Sequence, residues 1–209
     1  MKKYSNTTEL RQSIVEGINI LADNVAATLG PKGQNVIIQY KGDPPFVTKD
    51  GVTVAKFVNL DDPFQNAAIE ILKQASLQTN IEAGDGTTTA TVLARSIINE
   101  GQKYITSGVS PIELKRGMDK TCDAIVQNLE ENARPIQSLE DIQHIARISS
   151  NNDKMIGDLV ARAVDLAGKD GTVIIEEARS NKTSLELIEG FKIDSGFAAS
   201  AFMTDERRG

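Results

Sequence analysis

The chain has no tryptophan, one cysteine and one histidine in 209 residues, and aromatic side chains make up 4% of it. A single cysteine excludes an internal disulfide framework, and the lone pair Cys122 and His144 is too small a set for a structural zinc site. Long apolar runs are also missing. None approaches the roughly 18–20 residues that span a bilayer, so no membrane partner is expected. Met1-Lys2-Lys3 is followed by polar Tyr4 to Glu9 where a signal peptide needs its apolar stretch. A cytoplasmic protein is the default expectation. Basic clusters are absent too: 23 basic against 29 acidic side chains give a net charge of −6, which argues against nucleic acid as a partner. With 16 glycines and 6 prolines the chain is neither collagenous nor wholly disordered, and 40% hydrophobic residues suffice for one large or two small domains.

What is present is helical periodicity. Leu10, Ile14, Ile18, Leu21, Val25 and Leu29 are spaced 4, 4, 3, 4 and 4, one stripe of a helix of about six turns. Asn6 with Glu9 predicts its cap and Gly30-Pro31 its end. Val36-Ile37-Ile38 predicts a short strand. Phe46-Val47-Thr48 and Val52-Thr53-Val54 flank Asp50-Gly51, the pattern of a hairpin. Asp62-Pro63 starts a second helix, whose small-residue face of Ala67, Ala68, Ile71, Leu72 and Ala75 permits close helix approach. A third helix is expected from Thr87 to about Ser107. Ser110-Pro111-Ile112-Glu113 reads as a capping box. Behind it Leu114, Met118, Cys122, Ile125 and Leu129 share one face of a fourth helix, so Cys122 is expected as a buried small hydrophobe.

The pattern breaks near Asn132-Ala133-Arg134-Pro135, where a domain boundary is expected. Ser138 to Asp141 opens a short helix. Asn151 or Asn152 opens another, with Ile156, Leu159, Val160 and Val164 inward. Thr172 to Glu176 and Leu185 to Ile188 predict strands, while the last stretch, with Phe191, Phe197 and Phe202, is too short for a core of its own. The chain as a whole is expected to be mainly α with small β elements, an α+β fold.

Three strings could carry chemistry. In Gly84-Asp85-Gly86-Thr87-Thr88-Thr89, two glycines permit a tight turn and close approach of an anion. The helix behind them offers unpaired N–H groups and a partial positive charge. Three β-branched threonines suit a first turn better than a helix interior, and there their hydroxyls can meet phosphate oxygens. Asp85 could hold a Mg²⁺ that bridges those phosphates. Taken alone, the string reads first as a helix cap on a glycine loop. Thr28-Leu29-Gly30-Pro31-Lys32-Gly33 is either a second phosphate wall or a plain helix stop with a solvated lysine. Lys49-Asp50-Gly51 is either a turn or a carboxylate that orients an attacking water.

Together, Leu21-Ala22-Asp23, Thr28 to Gly33, Thr48 to Val52, Ala83 to Leu93, Gly108 to Asp119, Ile148 to Asn151 and Glu189-Gly190 run in one order along nearly the whole chain. In that order and spacing the chain resembles the group I chaperonins of the GroEL type, ATP-driven protein-folding machines built from stacked rings. The resemblance implies an equatorial, nucleotide-binding helical domain over 1–131. It implies the ascending half of an intermediate hinge domain over 132–188 and the start of an apical, substrate-holding domain over 189–209. It further implies that Thr28, Leu29, Gly30, Pro31 and Lys49 contact ATP. Asp85 would ligate Mg²⁺, Gly86, Thr87, Thr88 and Thr89 would cradle phosphate, and the catalytic role would fall to Asp50, near the attacking water. Phe197 and Phe202 would face unfolded polypeptide. Implied partners are unfolded polypeptides, further copies of the subunit in a ring, and a co-chaperonin.

Gln34 stands where the family usually has Arg, and Gly196 to Phe202 lacks the usual Ser-Pro-Tyr. The family's subunit is more than twice as long, and its main catalytic aspartate lies in a hinge strand beyond the present sequence. The leading expectation is therefore the N-terminal 209 residues of a chaperonin subunit, an ATPase when full length. The alternative is a naturally short, chaperonin-like interaction module without ATPase activity. A small-molecule phosphotransferase would call for a Walker-type Gly-Lys-Ser/Thr string, which the chain lacks.

Overall fold

The structure, a computed structural model, describes residues 8–39, 42–168, 170–177 and 183–190. Its chain divides into two compact units, Met1–Ala133 and Arg134–Gly209.

In the first unit, α1 (Thr8–Ala26) lays its stripe inward, burying Ile18, Leu21, Ala22 and Val25. The helix ends three residues before Leu29. Gly30 takes a left-handed φ of 73°, and Thr28 and Leu29 turn back onto Val25 and Ala26 through 3.1 and 3.0 Å backbone bonds. Leu29 thus leaves the stripe and stands exposed. The expected cap residue Asn6 lies outside the described residues. Strands β1 (Val36–Ile38) and β2 (Phe46–Thr48) pair antiparallel, with Val36 opposite Thr48, Ile37 opposite Val47 and Ile38 opposite Phe46.

The expected hairpin at Asp50-Gly51 is not formed. Gly51–Phe57 is a helix, α2, and Asp50 is its N-cap. Val52 and Val54 alternate as in a strand, but the buried set is Gly51, Val52, Val54 and Ala55, which recurs at three and four residues. Three residues are too few to distinguish the two periods, and burial against α1 decides for the helix.

Asp62 caps α3 (Pro63–Ala83) by accepting from the Phe64 and Gln65 N–H groups, with Pro63 in the first turn. The buried face is Ala68, Ile69, Leu72, Lys73 and Ser76; Ala67 and Ile71, expected inward, are exposed. The helix is turned so that α1 meets it across Gly17, where a Cβ would lie 2.7 Å from the Gln65 carbonyl. Only glycine permits that approach. α4 (Thr87–Thr106) completes the core through Ala94 and Ile98, and Thr91 is fully buried with its hydroxyl on the Thr87 carbonyl.

α5 (Pro111–Asn132) buries no residue. Cys122, expected inside, is exposed, as are Met118, Ile125 and Leu129. Ser110 occupies the cap position of α5 but makes no side-chain cap bond, so the expected box does not close; Pro111 and the Ser110 carbonyl start the helix.

In the second unit, α6 (Leu139–Ser149) opens with a closed capping box between Ser138 and Asp141. Asn151 and Asn152 take left-handed φ of 55° and 63°, so the cap of α7 (Lys154–Ala167) falls one residue later, on Asp153. α6 and α7 meet at Gly157, where a Cβ would stand 2.7 Å from Arg147 Cγ, and Arg147 forks onto Asp158 at 2.7 and 3.0 Å. That contact turns the small side of α7 inward: Ala161 and Ala163 are buried, while Ile156 and Val164, expected inside, are exposed. Residues 171–177 and 183–189 form no strand. Ile175 and Ile188 are 84% and 83% exposed, and among the described residues no strand pairs with the apolar runs that predicted strands.

Candidate functional site

The three candidate strings lie in the first unit at helix ends, and Gly51 is where those ends meet. A Cβ on Gly51 would lie 2.1 Å from Thr88 Oγ1 and 3.4 Å from Val25 Cγ1. The last turn of α1, the start of α2 and the start of α4 therefore touch at one buried glycine. Residues distant in sequence (25, 51 and 88) are joined because that position carries no side chain.

From α1 comes the loop 27–34. It closes on itself, Gly33 N–H to the Gly30 carbonyl at 2.9 Å and Gln34 N–H to the Ala27 carbonyl at 2.7 Å. Gly33 is required there, since a Cβ would lie 2.2 Å from the Thr28 carbonyl. Thr28 is half-buried, its hydroxyl donating to the Val25 carbonyl at 2.8 Å; Leu29, Gly30 and Pro31 are exposed.

From α2 come Lys49 and Asp50, both exposed. One carboxylate oxygen of Asp50 accepts from Val52 N–H at 3.3 Å, and the other from Thr53 N–H at 3.0 Å and from the Thr53 hydroxyl. Partial burial pushes the Asp50 carboxyl up. The Thr53 hydroxyl, the Thr53 and Val52 N–H groups and the nearby Lys56 charge together outweigh it, and the group is held below the ordinary carboxylate range.

From α4 come Gly86 and the threonines. Gly84 closes α3 with φ of 68° and Gly86 caps α4 with φ of 79°, so Asp85 is carried on a bend between two left-handed residues. Asp85 is exposed and accepts from Gly86 N–H at 2.6 Å. No side chain caps α4, and its leading N–H groups take no side-chain bond. Thr87 and Thr88 are half-buried and Thr89 is exposed. An uncapped helix start beside a glycine bend suits an anion. Among the described residues no three metal-ligating side chains converge, so a divalent ion here would be held by Asp85 together with oxygens of the anion itself.

Thr28, Asp50 and the Thr87–Thr89 turn thus belong to elements that share one contact. Phe197 and Phe202 lie outside the described residues. Gly51 and Thr53 are site residues that the strand pattern masks in the sequence; the signal that could have found them is Asp50 as a helix N-cap residue. A concavity of about 630 Å³ lies elsewhere, along a polar seam between α1 and α4 where Asn99 donates to Asn19 at 2.9 Å and Arg95 pairs with Asp23. None of the predicted site residues lines it.

Among the described residues no helix is long and apolar enough to cross a membrane. Residues 21–207 match the TCP-1/cpn60 chaperonin family. The fold is similar to a group III chaperonin in the open state, with 27% identity and a TM-score of 0.66 over 76% of this chain. It is also similar to the chaperonin gp146 from the bacteriophage EL 2 (Pseudomonas aeruginosa), solved in presence of ATP-BeFx, with 26% identity and a TM-score of 0.62 over 74% of this chain. The chain spans 32% and 27% of the lengths of those two proteins. By the extent of that match, the chain belongs to the TCP-1/cpn60 chaperonin family.

Proposed function

We propose that this chain is the N-terminal part of a group I, GroEL-type chaperonin subunit, which binds MgATP where α1, α2 and α4 meet. In the full-length subunit, hydrolysis of that ATP is coupled to holding and release of unfolded polypeptide. Residues 1–131 form the equatorial part, 132–188 the ascending hinge and 189–209 the start of the apical part. The N–H groups of α4 and the hydroxyls of Thr87, Thr88 and Thr89 bind phosphate oxygens. Asp85 holds Mg²⁺, which spreads the phosphate charge when bound. Asp50 orients the attacking water, and Thr28 to Pro31 with Lys49 form the opposite wall. Phe197 and Phe202 face unfolded polypeptide. The subunit assembles into rings in the cytoplasm, with a co-chaperonin as a further partner.

The observation that supports this reading is the closeness of Gly51 to Thr88 and Val25, which gathers the three strings at one point. The group I assignment is supported by the order and spacing of those strings. Isothermal titration with ATP and Mg²⁺ tests it. Asp85→Ala is expected to weaken MgATP roughly tenfold or more, the worth of a lost charge-assisted contact. Affinity untouched by Asp85→Ala rules the site out.

The exposed apolar face of α5 supports a second reading, an interaction module without ATPase activity. Phosphate release by the full-length subunit separates the two: binding of ATP without turnover there favours the module.

A further inference from the structure

We propose that Thr53 is the positioning residue of Asp50, and that it divides the work between the two carboxylate oxygens. This rests on the reading above, in which Asp50 orients the attacking water. Oδ2 of Asp50 accepts from two donors of one residue, the Thr53 N–H at 3.0 Å and the Thr53 hydroxyl. Oδ1 accepts a longer bond, 3.3 Å, from the Val52 N–H. A carboxylate oxygen has two acceptor positions, so Oδ2 is filled and Oδ1 keeps one open. The residue is exposed, so water reaches that open position. Oδ1 is the oxygen that takes the hydrogen bond from the water.

The lock matters because the terminal torsion of an aspartate is broad and roughly two-fold. Left free, the carboxylate interchanges its oxygens, and the acceptor aimed at water is not fixed. Two bonds from Thr53 to one oxygen hold that torsion. The Asp50 N–H, donating to Thr48 Oγ1 at 3.0 Å, holds the residue from its other side. Capping by itself does not need the hydroxyl. Asp62 caps α3 through the Phe64 and Gln65 N–H groups, and Asp153 caps α7 through the Ile156 N–H. Thr53 is therefore more than a cap partner: it orients a group whose catalytic worth depends on orientation.

The test uses the full-length subunit with Mg²⁺. ATP affinity is read by titration, turnover by phosphate release and folding by circular dichroism, for wild type, Thr53→Val and Thr53→Ser. Thr53→Val is expected to lower kcat roughly tenfold, less than the roughly hundredfold or more that a positioned base supplies because Asp50 itself remains, with KM and ATP affinity unchanged. Thr53→Ser, which returns the hydroxyl, restores kcat. Thr53→Ala removes the same hydroxyl with less bulk and replaces Thr53→Val if that variant does not fold. An unchanged kcat in the variant without the hydroxyl, or a loss that Thr53→Ser does not recover, overturns the proposal. So does a wild type that binds ATP and does not turn it over, although the binding reading then survives. A wild type that binds no ATP sinks that reading itself.

Discussion

The sequences of α1 and α5 carry the same apolar spacing and meet opposite fates. Ile14, Ile18, Leu21 and Val25 step by 4, 3 and 4, and so do Met118, Cys122, Ile125 and Leu129. On α1 the stripe disappears into the core, with Ile18 4% exposed and Leu21 and Val25 at 0%. On α5 it stays in water, with Ile125 at 54% and Leu129 at 63%. Periodicity sets the helix and the face it presents. It does not supply the surface that covers the face. α1 has α2, α3 and α4 around it, and its Gly17 lets α3 come close. Among the described residues α5 has no comparable neighbour.

The comparison breaks most readily at its two leucines. Leu21→Ala is expected to destabilise the first unit by about 3 kcal/mol, through lost transfer energy and a residual cavity. Leu129→Ala is expected to cost about 0.5 kcal/mol or less, because its side chain already meets water. Equal losses in denaturant unfolding would show that α5 is covered in solution and that the contrast is wrong.

A smaller effect sharpens the contrast at α2, the element that packs beside α1. The Asp50 carboxyl is held below its ordinary range, so it binds fewer protons folded than unfolded. The stability it contributes is present above the unfolded carboxylate pKa, about 3.9, and is lost as pH falls through the folded value. Asp50→Asn should flatten that part of the acid-unfolding curve and leave the neutral-pH arm with only the weaker cap. An acid limb unaltered by the substitution would show that the cap is not carried by charge.

The smallest effect is expected at the α1–α4 seam. Arg95 and Asp23 form a surface pair, with Asp23 70% exposed, and Arg95→Ala should cost under about 1 kcal/mol and less in high salt. A larger, salt-insensitive loss would mean that the seam, and not only the apolar stripe, sets how α1 docks.

Much of the architecture was legible before the structure. The Asp62-Pro63 start of α3 and the Ser138–Asp141 start of α6 are local signals, each satisfied by groups within a turn of the helix, and each forms where the sequence predicts it, while the stripe of α1 holds from Ile14 to Val25 and loses Leu29. Misreadings arose where a local pattern served two structures. Val52-Thr53-Val54 alternates like a strand, yet burial of Gly51, Val52, Val54 and Ala55 makes it a helix. Ile156 and Val164 fit an inward face, yet Gly157 against Arg147 turned α7 about its axis. Asp85-Gly86-Thr87 could be picked out as a motif, but the residue that joins it to the rest, Gly51, looked like part of a turn.

The amino-acid order by itself determined where α3, α4, α5 and α6 begin, because caps, prolines and left-handed glycines act over three or four residues. It also determined the family strings, whose order along the chain needs no coordinates. Only the tertiary structure decided which faces are covered, and that a glycine at 51 brings Thr88 and Val25 together. Burial and close approach depend on residues far apart in sequence, and no local periodicity encodes which of two equal stripes will find a partner.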